Sequence, residues 1–397
     1  MRKRTFSVDR IEIDASKGQA NVLTQTLSFP EIRINSSLLK NLFAVIQMDN
    51  GKLTLAAKGK QTELSRGLMA LKLLPSGWTV QGTDTVEIEA VVGKKGGISF
   101  SSKLALEKFA FQNPQETCVG ENISLRAHVS GRMTFPDLTV NVVAAIEADK
   151  GEVLLDRFYF DLKETGFFAR CNGTYNGPRK RVMLDGLSLG MKKIATAHVT
   201  GTLIQMENGY EGELSLEIPD TPIKEPFHRL VLEPFQTEKP VLAAVKLDGV
   251  FSAKMTLKGN PYHWMTKGVC TWKDGSLSYG DSVATFTGID LSLPIWLTNG
   301  EDDVQGQNLE GGLSVRSMRV SFLPEQGLNI PIKAASNRLF MPIATALEVP
   351  GGRIRIGPSK IARRVGLSPV IDTALHFDAL QMEPMLKGIW PRSVKGT

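Results

Sequence analysis

Five histidines and three cysteines are the side chains of this sequence best suited to metal binding or nucleophilic catalysis. The histidines form no His-Glu-x-x-His pair, and no Cys-x-x-Cys lies beside them. They stand singly at His128, His198, His228, His263 and His376. Cys118, Cys171 and Cys270 are far apart and odd in number, which is not typical of a disulfide framework. The spacing therefore predicts neither a metal site nor a nucleophilic centre.

Two segments carry residues that bind ions in other proteins. The segment 93–97 combines glycines and lysines, but it joins predicted strands and no helix follows it, so a hairpin turn is favoured over a phosphate-binding loop. The acidic run 301–303 could hold calcium weakly, but the EF-hand spacing is missing and a solvated loop is favoured. There is also no Gly-x-Ser-x-Gly motif. We therefore predict that the chain is not an enzyme and uses no cofactor.

The composition is that of a folded protein with an ordinary surface. The chain has 397 residues, of which 42% are hydrophobic and 22% charged, enough for two or three domain-sized units. A formal net charge of +6 favours contact with anionic phosphate groups, on lipids or on nucleic acid. Because the basic residues are scattered, with only short runs such as 179–181, no nucleic-acid partner is predicted.

Alternation of polar and apolar residues is the strongest pattern in the chain. It runs through 52–57, 152–162, 213–218 and 254–258. Strict alternation is typical of strands with one buried and one solvated face, whereas buried parallel strands show continuous apolar runs. The sequence therefore predicts a mainly β fold, built as a long antiparallel sheet with one apolar face and one or two short helices.

Thirteen apolar side chains, in these segments and in the further alternating segments at 98–106 and 289–293, are the candidates for that face. They are Leu53, Leu55, Phe100, Phe158, Phe160, Leu162, Leu214, Leu216, Met255, Leu257, Ile289, Leu291 and Leu293. Such residues fit a closed core between two packed sheets, and they fit equally an open trough whose wall receives acyl chains. On alternation alone the closed core is favoured, because buried sheet faces show the same pattern.

Glycine dipeptides predict where the strands turn. Asn-Gly, Asp-Gly or Lys-Gly pairs occur at 50–51, 150–151, 172–173, 248–249 and 274–275, and they predict hairpin turns in a meander of strands. Several of them precede similar alternating segments, as a loose internal repeat.

Two helices and one boundary complete the predicted organisation. Apolar spacing predicts helices over 36–48 and 378–388. A proline-rich connection at 225–238 places a boundary near Pro240, which divides the sheet into an N-terminal part, 1–240, and a C-terminal part, 241–397.

The pattern of a glycine turn followed by paired alternating strands resembles that of the AsmA-like envelope proteins. It is clearest in 246–259, in 266–279 continuing to 287–293, and in 350–380. The style is closest to the YdbH type, with TamB and YhdP as relatives. The resemblance implies a curled sheet with a hydrophobic groove, an inner-membrane anchor, and transfer of phospholipids across the periplasm in outer-membrane biogenesis.

The resemblance also sets expectations for the ends of the chain and its partners. Arg2–Arg4 are followed at once by an alternating segment instead of an apolar one, and we expect the anchor and further segments to be missing from this chain. The expected partners are a phospholipid or another acyl lipid, and both membranes through the missing segments.

Two other hypotheses remain open. The first is a structural or scaffolding protein of envelope assembly, whose sheet closes on its own core and carries no lipid. The second is a carbohydrate-binding β protein, for which Trp264 and Trp272 form the one nearby tryptophan pair in the sequence.

Overall fold

A computed structural model describes most of the chain. The described residues are 11–21, 23–36, 41–60, 77–94, 96–207, 209–280, 283–299, 308–320, 323–349, 352–362 and 370–378. The chain divides into two compact units, Met1–Tyr210 and Glu211–Thr397, here called unit 1 and unit 2. The boundary predicted near Pro240 lies within unit 2, at a short 3₁₀ helix, Pro240–Ala244.

The mainly β prediction is confirmed. Strands account for 75% of the structure and helices for 7%. The strands belong to a 22-stranded antiparallel sheet and a three-stranded antiparallel sheet.

Unit 1 is a meander in which most strands pair with their neighbours in sequence. From β3 onward the order is β3 to β9 and then β11 to β13, while β10 folds back on the end of β9. Its described strands are β1 Ile11–Ser16, β2 Gln19–Asn21, β3 Thr26–Ser36, β4 Leu42–Asp49, β5 Lys52–Lys60, β6 Thr79–Val92, β7 Ile98–Gln112, β8 Cys118–Thr134, β9 Thr139–Leu155, β10 Phe158–Asp161, β11 Phe167–Asn176, β12 Arg181–Met191 and β13 Ala195–Met206, with helix α1 at Leu162–Thr165.

Unit 2 continues the same kind of meander. Its strands are β14 Gly209–Pro222, β15 Val245–Gly259, β16 Trp264–Tyr279, β17 Ala284–Thr298, β18 Leu309–Val320, β19 Gln326–Ala335, β20 Arg338–Met341, β21 Thr345–Val349, β22 Gly352–Ile356, β23 Ser359–Ala362, β24 Val370–Asp372 and β25 Leu375–Asp378. Strands β21, β22 and β25 form the three-stranded sheet. The predicted connection at 225–238 is largely helical, as Lys224–Phe227, His228–Leu232 and Glu233–Phe235.

The predicted helix at 36–48 is wrong over its described part. Leu42–Asp49 is strand β4, joined to β5 through the turn at 50–51. Leu42 and Ala44 are buried while Phe43 between them is exposed, which is the two-residue period of a strand. Pairing with the neighbouring strands overrides a helical spacing that this apolar segment also satisfies. The predicted helix at 378–388 lies beyond the described residues, except for Asp378, which ends β25.

Three of the predicted hairpin turns are β-bulges inside long strands, and a fourth, 172–173, lies within β11 opposite a bulge of β12. The pairs 150–151, 172–173, 248–249 and 274–275 lie within β9, β11, β15 and β16, where the register of the ladder shifts. Gly249 shows why glycine is required, because its φ is +115° and a Cβ would lie 2.7 Å from Nε1 of Trp272. A bulge of the kind seen at Gly249 and a type I′ turn both need positive φ, so the dipeptide alone does not distinguish them.

Candidate functional site: an apolar face on each unit

The register of unit 1 brings apolar side chains into continuous rows across the sheet. One row crosses five strands, through the paired residues Val129, Ala144, Cys171, Leu187 and Val199. Residues directly opposite in an antiparallel ladder point to the same side, so the row lies on a single face. We call this side of unit 1, from β3 to β13, the unit-1 apolar face.

The opposite side of the same strands is polar. The adjacent row runs through Glu87, Lys103, His128, Ala145, Arg170, Ser188 and His198. Ion pairs join neighbouring strands here, including Lys58–Glu87 at 2.5 Å. The hydrogen bond and charge of Lys58 hold the pKa of the Glu87 carboxyl below its ordinary value. The two faces of unit 1 therefore differ sharply in polarity.

Most of the unit-1 apolar face is only half-buried. The five residues of the row through Val129 all retain some accessible surface, and so do Leu53, Leu55 and Phe100 among the predicted candidates. In a core sealed between two sheets, the central side chains are usually fully buried. The partial exposure shows that solvent still reaches this surface.

One end of the unit-1 apolar face is closed by a cluster of side chains. Leu162 of α1 is 3% exposed and packs with Ile123 and Ala148. Asp161 caps α1, because its carboxylate accepts a hydrogen bond of 2.8 Å from the backbone N–H of Lys163. Phe109, Phe111, Leu125, Val153 and Phe167 surround these three residues. We call this group the aromatic cluster.

The candidates Phe158 and Phe160 belong to β10, at the same end of the sheet. Phe160 pairs with Val153 and is 6% exposed, whereas Phe158 is half-buried. Tyr159 between them points to the other side and is exposed. Phe160 and Leu162 therefore contribute to packing and offer little surface to a ligand.

Unit 2 repeats the separation of the two faces. Leu216 pairs with Met255, and Leu214 with Leu257, whose side chain is 41% exposed. Leu291 pairs with Trp272, as does Leu293 with Cys270. We call this side of β14 to β19 the unit-2 apolar face.

A buried cluster bounds the unit-2 apolar face, and the opposite side of the same strands is polar. Ile289 is 5% exposed and packs with Val315 and Met318 in a cluster of its own. The opposite side carries ion pairs such as Lys254–Glu217 at 2.9 Å. Near the end of β18, Glu325 accepts from the Ser317 hydroxyl and from Arg319, and these two contacts lower the pKa of its carboxyl.

All thirteen predicted candidates thus lie on an apolar face or in the clusters that bound one. Phe160, Leu162 and Ile289 are buried, and the remaining ten are accessible to different degrees. The structure also contains a feature that alternation did not predict, an open depression of about 640 Å³ on the polar side of unit 1. Two small residues, Ala105 and Ala145, lie among the longer Lys103 and Arg126 that line it.

The described residues contain no group of three side chains arranged to hold a metal ion. Within the same residues, no helix has the length and apolar character needed to cross a bilayer. In comparisons with protein-family models, curated proteins and solved structures, nothing matches this chain.

Proposed function

We propose that this protein binds the acyl chains of lipids along its apolar sheet faces, as a non-enzymatic segment of a lipid-transfer system of the bacterial envelope. The observation that carries the proposal is the half-buried unit-1 apolar face, whose side chains form unbroken rows from strand to strand. A large apolar surface that stays accessible in a soluble protein usually marks a binding site.

The physical chemistry of the two faces suits an acyl ligand. Strand pairing satisfies the backbone N–H and C=O groups, so the apolar wall offers no unpaired polar atoms to the ligand. Each methylene moved from water onto such a wall contributes about 0.8 kcal/mol. The ion-paired polar side, with contacts such as Arg170–Glu147 at 3.0 Å, keeps the other surface hydrated.

The placement in the periplasm and the phospholipid cargo follow from the resemblance to AsmA-like envelope proteins. The mainly β fold supports that resemblance. The alternative, a scaffold whose apolar faces are covered by its own chain or by a partner protein, predicts that no lipid is bound.

Adjacent alanines on β9 provide a matched test. Ala144 lies on the unit-1 apolar face and Ala145 on the polar face, and both are half-buried. A photo-crosslinking amino acid at each position, followed by lipid extraction and mass spectrometry from a bacterial envelope, compares the faces directly. We expect lipid adducts at position 144 and few at 145. Equal labelling, or a lipid-free folded protein by native mass spectrometry, contradicts the proposal and favours the scaffold.

A further inference from the structure

Basic side chains gather at one edge of unit 1, where three turns lie side by side. The turn after β6 is closed by a hydrogen bond from Gly93 to Gly97, and the turn after β11 contacts the turn after β8 through Gly177 and Leu138. The edge carries Lys94, Arg132, Arg179, Lys180 and Arg181, which we call the basic edge. With strands about 4.8 Å apart, the outer two turns are about 19 Å from each other.

The cations of the basic edge are not neutralised by carboxylates, whereas several cations on the polar side of unit 1 are. Along the polar side, Lys58, Arg126 and Arg170 each pair with a carboxylate. Across the described part of the chain, no member of the basic edge forms an ion pair, and Asp137 is the acidic residue in the three turns.

Arg181 is the most constrained member of this edge. Its guanidinium donates a hydrogen bond of 3.3 Å to the Thr202 hydroxyl, and its Nε is buried without a hydrogen-bond partner. Arg181 pairs with Asn176, and Arg132 pairs with Asn141, so both lie on the polar side of the sheet. Lys94, Arg179 and Lys180, in the turns themselves, are therefore the members placed to meet a phosphate at the end of the apolar face.

The unit-1 apolar face connects the basic edge to the aromatic cluster. On the apolar side of β9, Val140 lies beside the edge, and Ile146 is the last half-buried residue before Ala148 in the cluster. Six residues of strand span about 20 Å. One leaflet of a bilayer core is about 15 Å thick, so phospholipid tails fit between the edge and the cluster.

We propose that the basic edge binds the phosphate of a phospholipid whose acyl chains lie on the unit-1 apolar face, with a preference for anionic headgroups. This inference rests on the proposed function and adds the orientation of the lipid and its headgroup class. The tails point towards the aromatic cluster, and the headgroup stays hydrated at the turns. Free cations at that edge complement a phosphate better than the paired charges of the polar side do.

The test uses the delipidated full chain and two short-chain, water-soluble lipids with identical tails, phosphatidylglycerol and phosphatidylcholine, titrated calorimetrically. We expect phosphatidylglycerol to bind at least about fivefold more tightly, because a surface cation contributes roughly that factor towards an anionic lipid. Raising the salt concentration should reduce the preference.

Two double variants that each remove two positive charges show which end of unit 1 determines the preference for phosphatidylglycerol. Arg179→Gln with Lys180→Gln should abolish the preference, whereas Lys192→Gln with Lys193→Gln, in the exposed turn at the opposite end of β12, should retain it. Circular dichroism confirms that both variants fold.

The possible failures are distinguishable. Equal affinity for the two lipids, or an equal effect of both double variants, overturns the role of the basic edge while leaving acyl binding intact. Glycerol phosphate competing as well as phosphatidylglycerol would show a phosphate site independent of the apolar face and would also overturn the inference. Binding of neither lipid overturns the proposed function together with it.

Discussion

Replacing Leu216 with aspartate tests whether acyl chains contact the unit-2 apolar face. Leu216 is half-buried on β14, opposite Met255 on β15, with Leu214 and Ile218 beside it on the same face. Ser215 points to the other side of the strand and is exposed. Ser215→Asp therefore places the same carboxylate on the same strand but away from the apolar face.

The expected effect follows from the burial of one leucine side chain. Complete burial of leucine stabilises a complex by about 1.5–3 kcal/mol, and a carboxylate in its place must also lose water when an acyl chain packs on it. The lower value corresponds to about tenfold weaker binding. We expect Leu216→Asp to weaken acyl binding at least about tenfold, and Ser215→Asp to change it by no more than about twofold, as is usual for surface substitutions.

Displacement of a fluorescent fatty acid from delipidated protein measures the dissociation constants, and thermal melts followed by circular dichroism report folding. If Leu216→Asp fails to fold, Leu257→Asp on the neighbouring strand replaces it, because that side chain is already 41% exposed. A folded variant at position 216 or 257 with wild-type affinity refutes the reasoning. Equal weakening by Ser215→Asp refutes it as well, since the effect would then not depend on the face.

Three further predictions concern stability. Leu162→Ala should lower the free energy of unfolding by about 2–5 kcal/mol, because its side chain is 3% exposed in the aromatic cluster, while leaving fatty-acid affinity nearly unchanged; an unaltered denaturation midpoint contradicts this. Gly249→Ala should lower the free energy of unfolding by at least about 1–2 kcal/mol, because residues with a Cβ rarely adopt the φ of +115° found there. Gly186→Ala, at a bulge where nothing lies within 4 Å of the new Cβ, should cost much less, and equal midpoints of the two glycine variants would contradict the prediction. Glu325 has a lowered pKa, so it stabilises the fold above its unfolded value near 4.5 and loses that contribution as the pH falls through its folded value. Glu325→Gln should flatten the fall of the melting temperature below pH 4.5, and identical pH profiles of the two proteins would contradict this.

Period-two alternation was sufficient to predict the fold class, and it also predicts which side chains of one strand share a face. Leu214 and Leu216, or Leu291 and Leu293, share a face because successive side chains of a strand point in opposite directions. The pattern predicts this without any knowledge of which strands pair.

Glycine dipeptides were less informative, because they specify a backbone angle and not the path of the chain. The pair 50–51 is a hairpin turn between β4 and β5, whereas 150–151 continues within β9, a strand of 17 residues. The pairing of β9 with β8 decides the second case, and that pairing depends on residues far away in sequence. The segment 42–49 is a similar case, since its apolar residues fit a helix until neighbouring strands are present to pair with it.

Burial along the apolar faces is what alternation could not predict, and it decides what each candidate does. Leu162 is buried because α1 folds over the end of β9, an arrangement that the alternation of the strands does not specify. Phe160 and Ile289 are buried as well, although they alternate like their accessible neighbours. Leu216, Leu257 and Leu293 remain accessible. Substitution of the first group should therefore lower stability, and substitution of the second should lower lipid affinity. A protein with a fully closed core would show the first effect at every one of the thirteen positions, so the division between the two effects is the experimental mark of an open apolar face.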